Sequence, residues 1–145
     1  AVACDTANSA VCEDGDPCTI DTCAAGGCAH DAATGLSAVL CRVESLEALM
    51  RKAAPETMGG LLTANRLGWR AAIARKLVAT AQGRPPRRVA RLLRRAERQL
   101  ALFAKMIVRG ERRGRIDPGD GDPPLALARD AAAGAKVVRL ESLSH

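Results

Sequence analysis

Apolar side chains recur every three or four residues over most of the chain after residue 38, which is the spacing of an amphipathic helix. Proline and glycine interrupt this spacing at Pro55 with Gly59 and Gly60, and again at Pro85 with Pro86. Such residues commonly end one helix or begin the next. The pattern therefore predicts helices near residues 38–53, 61–82, 86–109 and 123–134.

The third of these helices has the clearest apolar stripe. Its members step by 4, 3, 4, 3 and 4 residues and are Val89, Leu93, Ala96, Leu100, Phe103 and Ile107. Such a stripe packs along a neighbouring helix, and short connections between helices favour antiparallel neighbours. We therefore predict a mainly α fold, built as a three- or four-helix up-and-down bundle.

The first part of the chain follows no helical spacing and contains all six cysteines, at Cys4, Cys12, Cys18, Cys23, Cys28 and Cys41. No two of them have the C-x-x-C spacing of zinc knuckles or of thioredoxin-type redox motifs. An even number of cysteines in a segment too short to bury its own core predicts disulfide bonds. Asp-Gly, Asp-Pro and Gly-Gly pairs mark turns, so we expect a small, disulfide-stapled, turn-rich head with short extended pieces. Six cysteines allow fifteen pairings, and the spacing selects none of them.

Charge divides the chain at the same place. Residues 1–41 contain six acidic residues and no Lys or Arg, a charge of −6, whereas residues 42–145 contain all 22 basic residues against ten acidic ones, a charge of +12. These values add to the net charge of +6 of the 145-residue chain. We therefore predict two domains, an acidic cysteine-rich head over residues 1–41 and a basic helical bundle over residues 42–145.

One stretch of the head, CEDGDPCTIDTCAAGGCAH over residues 12–30, resembles the CTDC-type cysteine-rich repeat. That repeat occurs in slime-mould extracellular-matrix proteins and in secreted or surface proteins of myxobacteria and related bacteria. The shared positions are Cys12, Asp14, Gly15, Asp16, Pro17, Cys18, Thr19, Asp21, Cys23, Gly27, Cys28 and His30. The resemblance implies an extracellular, structural or adhesive role. The repeat usually occurs in arrays, whereas one full unit is visible here, which favours a processed chain or a part of a longer one.

The acidic residues of the head offer a possible calcium site, because Asp14, Asp16 and Asp21 supply the oxygen ligands that Ca²⁺ prefers. Their spacing is not that of an EF-hand loop, and acidic residues at turns commonly cap backbone N–H groups. Turn capping is the favoured interpretation, with calcium as the alternative. No metal site and no cofactor are predicted.

Arginines crowd the third predicted helix. Residues 84–115 contain eleven Arg and one Lys against two Glu, a charge of +10. A field of this kind attracts acidic polysaccharide or an acidic protein, although an arginine-rich composition with a merely solvated helix side is the plain alternative. The predicted basic interaction face consists of Arg87, Arg88, Arg91, Arg94, Arg95 and Arg98. Trp69, the only Trp, is expected to be a core or interface anchor.

The sequence lacks the motifs of the common catalytic sites. It contains no G-x-S-x-G, H-E-x-x-H, P-loop or dinucleotide-binding glycine motif, and only two His. We therefore predict no catalytic residue and no enzymatic activity. Zinc fingers and aromatic stacking platforms are also absent, so sequence-specific binding of nucleic acid is not expected. No run of eighteen apolar residues occurs, so no membrane span is expected either.

These observations favour a location outside the cytosol, because disulfides persist in oxidising compartments. The rest of the chain is weakly similar to helical C-terminal modules of bacterial secreted proteins. The favoured function is a structural or assembly module of a secreted or cell-surface protein. It would associate with itself through the acidic head and the basic helix, or with a larger surface protein. The alternative is a polyanion- or polysaccharide-binding module that uses the arginine-rich helix for tethering.

Overall fold

The computed structural model describes Cys12 and residues 18–24, 27–32 and 34–144, and it divides the chain into two compact units, Ala1–Thr34 and Gly35–His145. The predicted boundary at residue 41 instead falls inside the first helix of the second unit, α1 (Gly35–Lys52). The difference arises because Cys41 occupies a buried position of α1. The last cysteine in the sequence therefore belongs to a helix and does not mark the end of the head.

The described part of the first unit is a β-hairpin. Strand β1 (Thr19–Ala24) pairs antiparallel with β2 (Gly27–Ala32), and Cys23 lies opposite Cys28. A disulfide joins Cys12 to Cys28, with 5.3 Å between their Cα atoms. A two-stranded hairpin alone is marginally stable in water, and a disulfide typically adds about 2–4 kcal/mol. The predicted disulfide-stapled head with short extended pieces is confirmed for the residues described.

The other described cysteines also form disulfide bonds. Cys18, Cys23 and Cys41 are also disulfide-bonded, and none of the described cysteines is free. Cys4 lies outside the described residues. The prediction of disulfide bonding is therefore confirmed for the five described cysteines.

The described part of the second unit contains four α-helices. After α1 come a 3₁₀ turn at Pro55–Met58 and then α2 (Leu61–Ala81), α3 (Pro86–Arg112) and α4 (Pro118–Leu143). Helix α1 packs against α2 and α4, and α3 also packs against α2 and α4. Short loops join consecutive helices, so that neighbours run antiparallel. The predicted mainly α bundle is confirmed.

The core follows the apolar stripe predicted on α3. All six residues of that stripe are buried, and Phe103, the only Phe in the chain, is fully enclosed. Full burial of a side chain of this size stabilises a fold by about 1.5–3 kcal/mol. Helix α1 contributes Val39, Val43 and Leu46 to the same core. The burial of this stripe fixes which side of α3 faces solvent.

Helix α4 is longer than the predicted segment 123–134. It begins at Pro118, and the side chain of Asp117 caps it by accepting a hydrogen bond from the Gly119 N–H at 2.9 Å. Pro is well tolerated at the first helical position, and Pro123 and Pro124 then fall inside the first two turns. The positions that α4 buries are mostly small, and they are Gly121, Pro124, Leu125, Ala128, Ala131 and Ala135. A search for large apolar residues therefore misses much of this helix.

A buried carboxylate links α1 to α2. Glu47 accepts hydrogen bonds from Arg51 on its own helix and from Arg75 on α2, and only 8% of Glu47 is exposed. Burial alone would raise the pKa of Glu47, but the hydrogen bonds from the two guanidinium groups outweigh it and hold the pKa below its usual value of 4.5. Glu47 therefore stays ionised at neutral pH and holds both arginines.

Helix α3 ends in a Schellman turn. Gly114 has a φ of 69°, and its N–H donates to the Glu111 carbonyl at 3.1 Å. The next N–H, of Arg115, donates to the Gly110 carbonyl at 2.8 Å. This pair of bonds satisfies the last carbonyls of the helix and reverses the chain. The turn brings the following residue, Ile116, back against the end of the helix.

Ile116 packs against two glycines. A Cβ atom added to Gly110 on α3 would lie 2.5 Å from Cδ1 of Ile116, and one added to Gly121 on α4 would lie 2.8 Å from its Cγ2. Ile116 is 1% exposed, so it has little room to move away. The two glycines therefore permit a close approach that joins the α3–α4 loop to both helices.

The packing of Ile116 against Gly110 predicts opposite effects for two glycine-to-alanine substitutions in helices. Gly110→Ala is expected to destabilise the protein by about 1–3 kcal/mol, because the new methyl group overpacks against Ile116. Gly68→Ala on α2, where an added Cβ would meet nothing within 4 Å, is the control and should stabilise it by about 0.5–1 kcal/mol through helix propensity. Denaturant unfolding followed by circular dichroism measures both changes. Equal stability of the two variants would contradict the proposed packing.

Candidate functional site

Helix α3 presents a line of exposed cations on the side opposite its apolar stripe. These residues are spaced by 4, 3, 4, 7, 4 and 3 positions, so they follow one side of the helix. They are Arg87, Arg91, Arg94, Arg98, Lys105, Arg109 and Arg112. At 1.5 Å per residue the line is about 37 Å long. These seven residues are named the basic ridge.

The structure places all six arginines of the predicted interaction face on α3, and all are exposed. Four of them belong to the basic ridge, while Arg88 and Arg95 lie beside it. The prediction omitted the second half of the ridge, namely Lys105, Arg109 and Arg112. The signal for these three was present in the sequence, because the same spacing resumes after the interruption at Ala101 and Leu102.

The two acidic residues of α3 do not neutralise the basic ridge. Glu97 accepts hydrogen bonds from Arg139 of α4, from Nε at 2.6 Å and from Nη2 at 3.2 Å. This hydrogen bonding raises the pKa of Arg139. The other ion pairs of the described residues join Glu47 to Arg51 and Arg75. Among the described residues, therefore, no cation of the ridge belongs to an ion pair.

Glu111, the second acidic residue of α3, interacts with other acidic residues, mainly Asp122 of α4. The hydrogen bond that it shares with Asp122, its burial and the charge of Asp122 all raise the pKa of Glu111, with a smaller opposing effect from Arg129. Its Oε1 atom is buried and has no hydrogen-bond partner among the residues described. Glu111 and Asp122 thus form an acidic pair between α3 and α4.

A cleft of about 420 Å³ lies between α2 and α3, beside the C-terminal half of the basic ridge. Its charged lining consists of Arg66, Arg70, Lys105, Arg109, Arg113 and Arg115. No acidic residue lines it, and Leu102, Met106 and Ile116 form an apolar wall. Helix α2, helix α3 and the α3–α4 loop thus bring together cations that are far apart in the sequence. This group is named the basic cleft.

Arg70 is positioned by its neighbours within the basic cleft. Its Nη1 atom donates a hydrogen bond to Gln99 Oε1 on α3 at 3.0 Å, and its Cζ atom lies 5.8 Å from the ring centre of Trp69. Its Nε atom is buried and has no hydrogen-bond partner among the described residues. Trp69 itself is 59% exposed, so it is not a core residue, and the alternative that it anchors an interface stays a prediction. Arg70 is therefore held in a fixed orientation at the lining of the cleft.

Of the three residues of the calcium alternative, Asp21 lies in β1 opposite His30 of β2. Asp14 and Asp16 lie outside the described residues. In the part of the chain that is described, no group of three or more His, Cys, Asp or Glu residues could hold a metal ion.

Among the described residues, none of the helices combines the length with the apolar character that a transmembrane segment requires.

Comparisons of this chain with protein families, with curated proteins and with solved structures find no match. The resemblance of residues 12–30 to the CTDC repeat therefore stays a prediction, as does the absence of catalysis.

The acidic pair predicts a stabilising substitution. A carboxyl group whose pKa is raised on folding contributes stability below its unfolded pKa and loses it as the pH rises through the folded value. At neutral pH the pair therefore opposes folding, and Asp122→Asn should raise the melting temperature. The gain should shrink as the pH falls through the raised pKa of folded Glu111, and it should be lost below about 4.5, the ordinary value for Glu, where Glu111 is protonated in both states.

The matched control is Asp120→Asn, in the first turn of α4. That change removes a favourable interaction of a carboxylate with the helix N-terminus and should lower the melting temperature. Thermal melts at pH 7 and pH 4 measure both variants. A loss of stability in Asp122→Asn similar to that in the control would contradict the repulsion.

Proposed function

We propose that this protein is a non-enzymatic binding module whose basic ridge holds an acidic polymer, in particular an acidic polysaccharide of an extracellular matrix or cell envelope. The observation that supports this function is a line of seven exposed cations along α3, none of them in an ion pair among the described residues. Counterions released from a polyanion drive its binding to such a surface.

The shape of the basic ridge favours an extended ligand. Exposed ion pairs contribute about 0–1 kcal/mol each, so useful affinity requires many contacts at once. A polymer that follows the helix can contact the cations at both ends of the ridge, about 37 Å apart, while a small anion contacts only a few of them. The linear array therefore matches a chain of repeated negative charges.

The composition favours polysaccharide over nucleic acid. Binding of single-stranded nucleic acid commonly uses aromatic side chains on which bases stack. The chain contains no Tyr, one Phe and one Trp. Phe103 is buried, and Trp69 lies on α2 and not on the ridge. The disulfides also support an oxidising compartment, away from most nucleic acid.

A second candidate is self-association, in which the acidic N-terminal segment of one molecule binds the basic ridge of another. The six acidic residues and the absence of cations in residues 1–41 favour it. A contact between two different surfaces adds further copies until the assembly closes into a ring, or forms a filament. The two candidates use the same ridge and differ in whether association requires a ligand.

The ridge proposal predicts the behaviour of the triple variant Arg91→Gln, Arg94→Gln and Arg98→Gln. Retention on a heparin column should fall, because three cations of the ridge are lost. The slope of log affinity against log salt should also decrease by roughly 0.7–0.9 for each lost contact, the range known for nucleic-acid polyanions. Fluorescence titration with labelled heparin at several salt concentrations measures this slope.

The matched control is Lys52→Gln, Lys76→Gln and Lys136→Gln, which removes three exposed cations from α1, α2 and α4. It has the same net charge as the ridge variant and should keep most of the affinity. Equal losses in both variants would contradict a localised ridge. Light scattering without polymer tests the second candidate: salt-sensitive oligomers that disappear in the ridge variant would favour self-association, and a monomer at all concentrations would exclude it.

The proposed extracellular location predicts the oxidation state of the protein from its native source. Cys12 and Cys28 should resist alkylation without reductant and should appear as one linked pair of peptides after proteolysis, because a bond in an oxidising compartment persists. Mass spectrometry with and without reductant measures this. Alkylation of Cys12 and Cys28 in the unreduced native protein would contradict an extracellular location.

A further inference from the structure

We propose that the basic cleft between α2 and α3 is a binding site for a small organic anion that carries two closely spaced tetrahedral oxyanion groups, as in a bisphosphate or a disulfated sugar. The proposal goes beyond polymer binding by the ridge, because it depends on cations of α2 and of the α3–α4 loop that are not part of the ridge. It holds whether or not a polymer binds α3.

The charge of the cleft requires a multivalent ligand. Six cations and no acidic residue line a space of about 420 Å³. Cations that share a cleft repel one another, and a ligand with one negative charge would neutralise only one of them. A phosphate monoester carries about −1.5 to −2 charges near pH 7, so two such groups neutralise at least half of this charge.

The identity of the cations favours a ligand with oxyanion groups. Five of the six are arginines, whose planar guanidinium groups donate paired hydrogen bonds to phosphate and carboxylate oxygens. Arg70 is already oriented by Gln99 and Trp69, and its buried Nε donor has no partner among the described residues. Because Arg70 is held in place before a ligand arrives, its guanidinium loses less conformational freedom when it binds an oxyanion.

The apolar part of the lining indicates what kind of carbon frame the ligand should have. Leu102, Met106 and Ile116 form an apolar wall beside the cations, which suits the carbon frame of a sugar or similar ring. Gly59 borders the same space with a φ of 83°, and a Cβ added there would lie 3.3 Å from Thr63. The cleft thus combines a charged side with an apolar side, as small-molecule sites commonly do.

The test uses the full chain with its disulfides intact and pyrophosphate as the probe. Isothermal titration calorimetry at low salt should show saturable binding of one pyrophosphate per molecule. The double variant Arg66→Gln and Arg70→Gln should weaken the dissociation constant by about tenfold or more, since each charge-assisted hydrogen bond typically contributes that much. A disulfated disaccharide, titrated in parallel, distinguishes a sulfate ligand from a phosphate ligand by which of the two binds more tightly.

The matched control is Arg91→Gln with Arg94→Gln, which removes the same charge from the other end of the basic ridge. It should change the dissociation constant by less than about threefold, since screening weakens attraction beyond about 10 Å at 0.1 M salt. Equal losses in the two double variants, or no saturable binding of either probe, would overturn the proposal. Circular dichroism checks that each variant folds, and Arg66→Gln alone replaces the double variant if Arg70 proves necessary for folding. The control affects the polymer test and leaves this one unchanged, so the two proposals fail separately.

Discussion

The burial of one apolar stripe along α3 is the interaction on which the rest of the bundle depends. Helix α3 contacts both α2 and α4, and its stripe contains Phe103, the largest fully buried side chain. The opposite side cannot stabilise the helix, because like charges four residues apart, such as Arg87 with Arg91 and Lys105 with Arg109, are destabilising by about 0.2–0.5 kcal/mol each. Packing therefore has to outweigh repulsion along α3. The same packing also directs the cations into a line, so the basic ridge is a consequence of how the core is built.

Ile116 connects this core to the basic cleft. It packs against Gly110 and Gly121, which joins the α3–α4 loop to both helices, and it also forms part of the apolar wall of the cleft. The Schellman turn at Gly114 lies between Arg113 and Arg115, two of the cleft cations. The position of these charges thus depends on backbone conformation and on close packing at glycine. Residues without any functional group shape the site as much as the arginines do.

The sequence was sufficient to predict the first three helices and the side of α3 that is buried, because large apolar residues repeat there at helical spacing. The length of α4 could not be predicted in this way, since Gly121, Ala128 and Ala131 give a weak apolar signal and an internal Pro123–Pro124 pair suggests a start that the helix does not have. The basic cleft was also beyond a sequence argument. Arg66 and Arg70 belong to a different helix from Arg109, and only the register between α2 and α3 brings them to one space.

The arrangement of the arginines also argues against a merely arginine-rich composition as the origin of the charge on α3. Such a bias would enrich all solvent-facing sides alike. Helix α3 has nine Lys and Arg in 27 residues, whereas α1, α2 and α4 together have ten in 65. The exposed side of α2 instead presents Leu61, Leu62 and Trp69 to solvent. Both acidic residues of α3 also lie away from the ridge. Glu97, for example, binds Arg139 of α4. Concentration of cations on one helix, together with the placement of its carboxylates elsewhere, is what a surface for an acidic ligand requires.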